Sequence, residues 1–241
     1  MLKMKNLAVA AAFAWTLGAC TSNVNNNESD NVSDNQAEWV SLFDGTSTAG
    51  WHTYLRDTVA SGWTAVDGEL QFNPDVPQEG RGDIVTDDEY ENFELELEWK
   101  ISPGGNSGIF IGVMEDEKYS HTFRTGIEMQ VLDNIDAADN KIENHLAGTL
   151  YDMMGNQEVS QPKAVGEWNL ARIVKNNGRI TFWLNEIQTA DVEIGSEAWN
   201  EILNASKFKD WEGFAQYSKG KIGLQDHGDV VAYRNIRIRE L

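Results

Sequence analysis

The sequence predicts an all-β fold: a two-sheet antiparallel β-sandwich with one short helix. Apolar residues recur at a period of two in run after run, turn-forming residues punctuate those runs, and only one stretch has helical spacing. In Phe93 to Ile101, Phe93, Leu95, Leu97, Trp99 and Ile101 share one face, and Glu94, Glu96 and Glu98 the other. Gly108 to Val113 aligns Ile109, Ile111 and Val113. Thr125 to Asp133 aligns Ile127, Met129 and Val131 against Glu128 and Gln130. Shorter runs follow at Leu170 to Val174, Ile180 to Leu184, Ile222 to Leu224 and Ile236 to Ile238. Asp67-Gly68, Pro103-Gly104-Gly105-Asn106, Asn176-Asn177-Gly178 and Asp226-His227-Gly228 supply turns, and Asn177-Gly178 between two strands is a strong hairpin signal. The helix covers Glu197 to Asn204, with Ser196 as its cap and Trp199, Ile202 and Leu203 on one side.

The first 37 residues read differently. Lys3 and Lys5 precede a short apolar run, Leu7 to Leu17, too short to span a bilayer and typical of a secretory signal. Leu17-Gly18-Ala19-Cys20 resembles the lipobox of bacterial lipoproteins. That resemblance implies residues 1–19 as signal peptide, lipidation of Cys20, and an anchor in the bacterial outer membrane. The absence of an acid in Thr21-Ser22-Asn23 favours its periplasmic face. Cys20 is also the only cysteine, so no intramolecular disulfide forms. Residues 20–37 are rich in Asn, Ser and Asp, too polar to bury a core, and read as a tether. The folded domain then spans 38–241, one domain's worth of chain. A net charge of −20 argues against nucleic acid as a partner, and against membrane contact except through the lipid anchor.

A strand offering a carboxylate and an amide from one face suits a carbohydrate groove, because sugars present hydroxyls to polar groups and C–H faces to aromatic rings. Parity places Gln225 and His227 on one face of their strand, where they can look into the same groove as Glu128 and Gln130, while Asp226 serves the turn. Most of the nine tryptophans belong to a core, with a minority as sugar platforms.

Leu42-Phe43-Asp44-Gly45 with Gly50-Trp51, Trp63 to Leu70, Gly105-Asn106-Ser107-Gly108-Ile109-Phe110, Glu128 to Asp133, Gly166-Glu167-Trp168-Asn169, Ile222 to Gly228 and Arg234 to Ile238 together resemble the 3-keto-disaccharide hydrolase family, in order and over nearly all of 39–241. The resemblance implies a concanavalin A-like jelly roll. It also implies chemistry on glycosides already oxidised at C3: elimination of the aglycone, hydration of the resulting enone, or both. The partner is then a keto-sugar or oligosaccharide. Where many relatives carry a polar residue after the "SGIF" motif, this chain has Ile111-Gly112-Val113.

A C3 ketone acidifies the C2 hydrogen. Elimination needs a base at C2, a partner for the enolate oxygen and an acid for the leaving group, but no nucleophile. Glu128, His145 and His227 are the catalytic candidates. His145 sits in Asn144 to Asp152, which resembles the "H.AG.LYD" segment of a family subgroup, and histidine transfers protons readily near neutral pH. Gln130, Asp133, Tyr151, Gln225 and His121 are the substrate-binding candidates. His52 reads as structural. No cofactor is required, although Glu128, Asp133, His145 and His227 form an alternative ligand set for a divalent ion, which would stabilise an enediolate.

Two rival readings stand beside this one. Glu128 to Asp133 echoes the "E.D..E" strand of laminarinase-like jelly-roll glucanases, but Gln130 replaces the middle acid and Glu128 and Asp133 differ in parity. A non-catalytic carbohydrate-binding module on the same fold would need aromatic platforms but no histidine pair.

Overall fold

A computed structural model describes residues 37–241; the signal peptide, Cys20 and nearly all of the tether lie outside the described residues. Among the described residues, thirteen strands form two antiparallel sheets. In chain order they are β1 (Val40–Ser41), β2 (Trp51–Thr53), β3 (Trp63–Val66), β4 (Glu69–Phe72), β5 (Ile84–Thr86), β6 (Phe93–Ile101), β7 (Asn106–Val113), β8 (Ile127–Leu132), β9 (Asn169–Asn176), β10 (Arg179–Leu184), β11 (Ile187–Glu193), β12 (Lys221–Leu224) and β13 (Val231–Glu240). The larger sheet runs β11-β10-β9-β6-β13-β4-β3, with β1 also paired to β13. The smaller runs β2-β5-β12-β7-β8. One helix, α1 (Glu197–Ala205), follows β11, and the Ser196 side chain accepts a hydrogen bond from Trp199 N at its start.

The alternation read in the sequence decides which side of each strand is core. Phe93, Leu95, Leu97, Trp99 and Ile101 of β6 are all buried, and face Ile109, Ile111, Ile127, Met129 and Val131 of the smaller sheet in one cluster. The acids on the other side of β6 meet arginines of β9 and β13: Glu94 pairs with Arg172 and Arg239, Glu96 with Arg237, Glu98 with Arg234. The Glu96 and Glu98 pairs, more open to solvent than buried Glu94, contribute little each. Asn177 and Gly178 adopt φ of 49° and 84°, the left-handed pair that a tight β9–β10 hairpin requires. Asn106, read as the end of a turn, opens β7 instead.

Every residue of β8 is buried, on both faces. A glutamate on a solvated sheet face would normally be exposed, so something covers the side bearing Glu128 and Gln130. Part of the cover is the segment 148–151, which lies along the free edge of β8: Gly148 N donates to Gln130 O, Gln130 N to Thr149 O, and Tyr151 N to Glu128 O, at 2.7–3.1 Å. This protects the edge and sets Tyr151 beside Glu128.

Candidate active site

A cavity of about 160 Å³ lies over β7, β8 and the end of β12. Glu128 and Gln130 reach it from β8, Asn106 from β7, and Gln225 and His227 from the chain leaving β12. Tyr151 enters from the segment that covers the β8 edge. Lys207, Phe208 and Trp211 close it from the loop after α1, with Phe123 beside them. Phe208 stacks on Phe214 at 4.1 Å and meets Trp211 edge-on at 5.0 Å, which fixes one aromatic wall.

Among the described residues, Glu128 is the only one with a carboxyl group that lines the cavity. It is 8% exposed, and none of the hydrogen bonds among the described residues reaches its carboxyl. Its position depends on Gly108: a Cβ there would fall 2.1 Å from Glu128 Oε1. Desolvation pushes its pKa up to about 8; the Lys207 charge opposes that shift, while Asp83 and Asp139 add to it. A carboxyl held near that value changes its protonation around neutral pH, the range in which an acid–base group works best. Lys207 is the only lysine or arginine among the described residues that lines the cavity. Its Nζ sits 4.1 Å from the Tyr151 ring centroid.

Five of the residues singled out from the sequence therefore meet in one cavity: Glu128, Gln130, Tyr151, Gln225 and His227. Three others do not line it. Asp133 turns away: it lies just past the end of β8 and accepts from Gly104 N at 2.8 Å and Ile135 N at 3.0 Å, which ties it to the turns there. His121 stacks on Phe123 with centroids 4.7 Å apart and bonds Ser120 Oγ, so it stands behind a lining residue. His145 is buried behind Tyr151, with ring centroids 4.5 Å apart. The set Glu128, Asp133, His145 and His227 is not brought together, and no cluster of three or more His, Cys, Asp or Glu suited to a metal occurs among the described residues. Asp226 serves its turn as expected, bonding Gly228 N and pairing with Arg81. His52 bridges Asp87 and Glu115 away from the cavity.

His145 has a structural logic of its own. Nδ1 faces Asp139 Oδ1 at 2.8 Å and Nε2 faces Asp152 Oδ1 at 2.9 Å. Asp139 Oδ2 accepts from Tyr151 OH at 2.8 Å, and Asp152 Oδ2 accepts from Lys207 N at 2.7 Å. His145 thus ties together the two acids that hold Tyr151 and Lys207 in the cavity wall. Burial and Asp139 both raise the Tyr151 pKa, so the phenol keeps its proton. His145→Ala leaves two carboxyl groups without their shared partner and should cost about 2 kcal/mol of unfolding free energy, with His145→Gln recovering part of it. Chemical denaturation of the three proteins measures this.

No local sequence pattern marks Lys207, Phe208 or Trp211 as cavity residues. They follow the helix in irregular chain, and only the tertiary fold carries them to β8.

The 3-keto-alpha-glucoside-1,2-lyase-like domain family matches residues 38–239. A 3-keto-disaccharide hydrolase of Bacteroides thetaiotaomicron is 35% identical over 229 residues, covering 84% of this chain and 78% of that protein. The crystal structure of a candidate glycosyl hydrolase from Parabacteroides distasonis superposes with a TM-score of 0.77 at 30% identity, covering 84% of this chain and 94% of that one. The β-glucanase of Bacillus licheniformis superposes at 0.50 with 10% identity, covering 86% and 99%, a likeness of fold alone, and the fold is the concanavalin A-like jelly roll.

Proposed function

The chain belongs to the 3-keto-alpha-glucoside-1,2-lyase-like domain family, and from that premise we propose that it cleaves 3-keto-glycosides by elimination across C1 and C2. The observation that carries this reading is Glu128: a desolvated carboxyl that is 8% exposed and lines a cavity that also holds one ammonium group. In the proposed step Glu128 takes the C2 proton. The C–H electrons pass to the ketone as an enolate, whose oxygen Lys207 stabilises. The enolate re-forms the ketone as the C1–O bond breaks, and the aglycone leaves with a proton. The sugar product is a C1=C2 enone, and water added across that double bond gives the free 3-keto sugar. His227, exposed at the rim, is placed to protonate the departing oxygen.

The same cavity gives little support to a retaining glucanase. That chemistry uses two carboxyls about 5 Å apart, whereas among the described residues only Glu128 brings a carboxyl to the cavity and Asp133 is committed to its loop. Incubation with 3-keto-glucosides and with the unoxidised glycosides, followed by NMR of the products, tests the proposal. The expected result is enone or free 3-keto sugar from the oxidised substrates only. Turnover of unoxidised glycosides, or binding without turnover, contradicts it.

We further propose that Cys20 anchors the protein to the outer membrane, facing the periplasm. The Leu-Gly-Ala-Cys sequence and the polar stretch after it support this. Cys20→Ala is expected to move the protein from the membrane fraction to the soluble one, and retention of the variant on membranes contradicts the anchor.

A further inference from the structure

Among the described residues, five buried side-chain polar atoms have no hydrogen-bond partner, and two of them belong to residues lining the candidate active site: Asn106 Oδ1 and Gln225 Oε1. Both residues are 8% exposed. A buried acceptor without a donor costs about 1–3 kcal/mol, so a pair of them on the floor of one cavity marks where a ligand's donors belong. Their positions are well fixed. Asn106 is tied at its backbone, where its N donates to Asp229, and Gln225 extends the ladder as its N donates to Gly108 O. The cavity lining therefore combines unpaired acceptors from β7 and the chain leaving β12 with the Lys207 ammonium from the loop after α1.

We propose that Asn106 and Gln225 each accept a hydrogen bond from a sugar hydroxyl, and that this pair sets the orientation of the ring. On a 3-keto-glycoside the hydroxyls can donate, whereas the C3 carbonyl can only accept. The hydroxyls satisfy the two amide oxygens, and the carbonyl is left to face Lys207. The inference rests on the keto-glycoside reading and adds a specificity rule to it: the substrate must keep two free hydroxyls besides its ketone. A bound cation would also satisfy two amide oxygens. The site brings a single carboxyl, however, whose protonated form is favoured, and such a low charge count suits hydroxyls better than a divalent ion.

The test uses Glu128→Gln protein, in which turnover is suppressed, and measures binding of 3-keto-glucoside and its monodeoxy analogues by calorimetry. Removing a hydroxyl read by Asn106 or Gln225 should weaken binding roughly tenfold to a hundredfold. Asn106→Ala or Gln225→Ala in the same background should each erase the penalty for one analogue and leave the other. Keto-glucosides that bind with no dependence on any hydroxyl, penalties that persist in both variants, or penalties that vanish with a chelator would each overturn this inference alone. Failure of every keto-glucoside to bind would overturn it together with the function it rests on.

Discussion

Replacing Glu128 with Gln is expected to lower kcat/KM on a 3-keto-glycoside by at least about a hundredfold while the domain stays folded. General acid–base groups contribute about 10²–10⁴-fold, and Glu128 is the only carboxyl among the described residues that lines the cavity. The wild-type rate should follow ionisation of this group. With a pKa near 8 the carboxylate is a minority species at pH 7, so kcat/KM should climb through pH 8 and level off only about one pH unit above that pKa. Stability moves the other way. The folded pKa lies above the ordinary value of 4.5, so the fold favours the neutral carboxyl. The stability gained is full below that ordinary value and is lost as pH rises through about 8. Glu128→Gln has no proton to lose. Its melting temperature should therefore gain on wild type between pH 6 and pH 9, while its activity has no acid limb.

Lys207→Met should also cost a large factor, roughly a hundredfold to a thousandfold in kcat, the range typical for removal of one oxyanion-stabilising group. Methionine keeps the aliphatic reach over the Tyr151 and Phe208 rings, so packing of the wall survives. Two changes should accompany the loss. The Glu128 pKa should rise further, since the Lys207 charge is what opposes desolvation there, and the acid limb of the rate profile should move to higher pH. Steady-state kinetics across pH separates this from a packing defect, which would lower the rate without moving the limb.

The parts of the fold that could be read in advance are those where alternation runs long enough to leave no second reading. β6 declares its core face through five apolar residues at period two, and β8 does so through Ile127, Met129 and Val131. Strands of two to four residues, such as β1, β2 and β5, are too short to show a period. β11 hides because polar Gln188, Thr189 and Asp191 interrupt it and a register shift opposite Phe182 and Trp183 breaks its parity. Parity likewise carried the site where it applied. Glu128 with Gln130, and Gln225 with His227, share the cavity because each pair is two residues apart on extended chain. Parity says nothing of loops, and there the reading diverged from the structure. His145 has the chemistry of a proton-transfer group, yet the loop turns its ring into a pair of aspartates, and it holds Tyr151 and Lys207 instead of facing the cavity. Lys207 had no local pattern at all.

The central claim is that Glu128 removes the C2 proton of a 3-keto-glycoside. Its most direct test is the kinetic isotope effect on aglycone release from substrate deuterated at C2, in wild type and in Glu128→Gln. The account predicts slower release from the deuterated substrate by wild type, and loss of both release and C2 exchange with solvent in the variant. Release from wild type at equal rates for both substrates, with no deuterium lost from C2 of the sugar product, would contradict it.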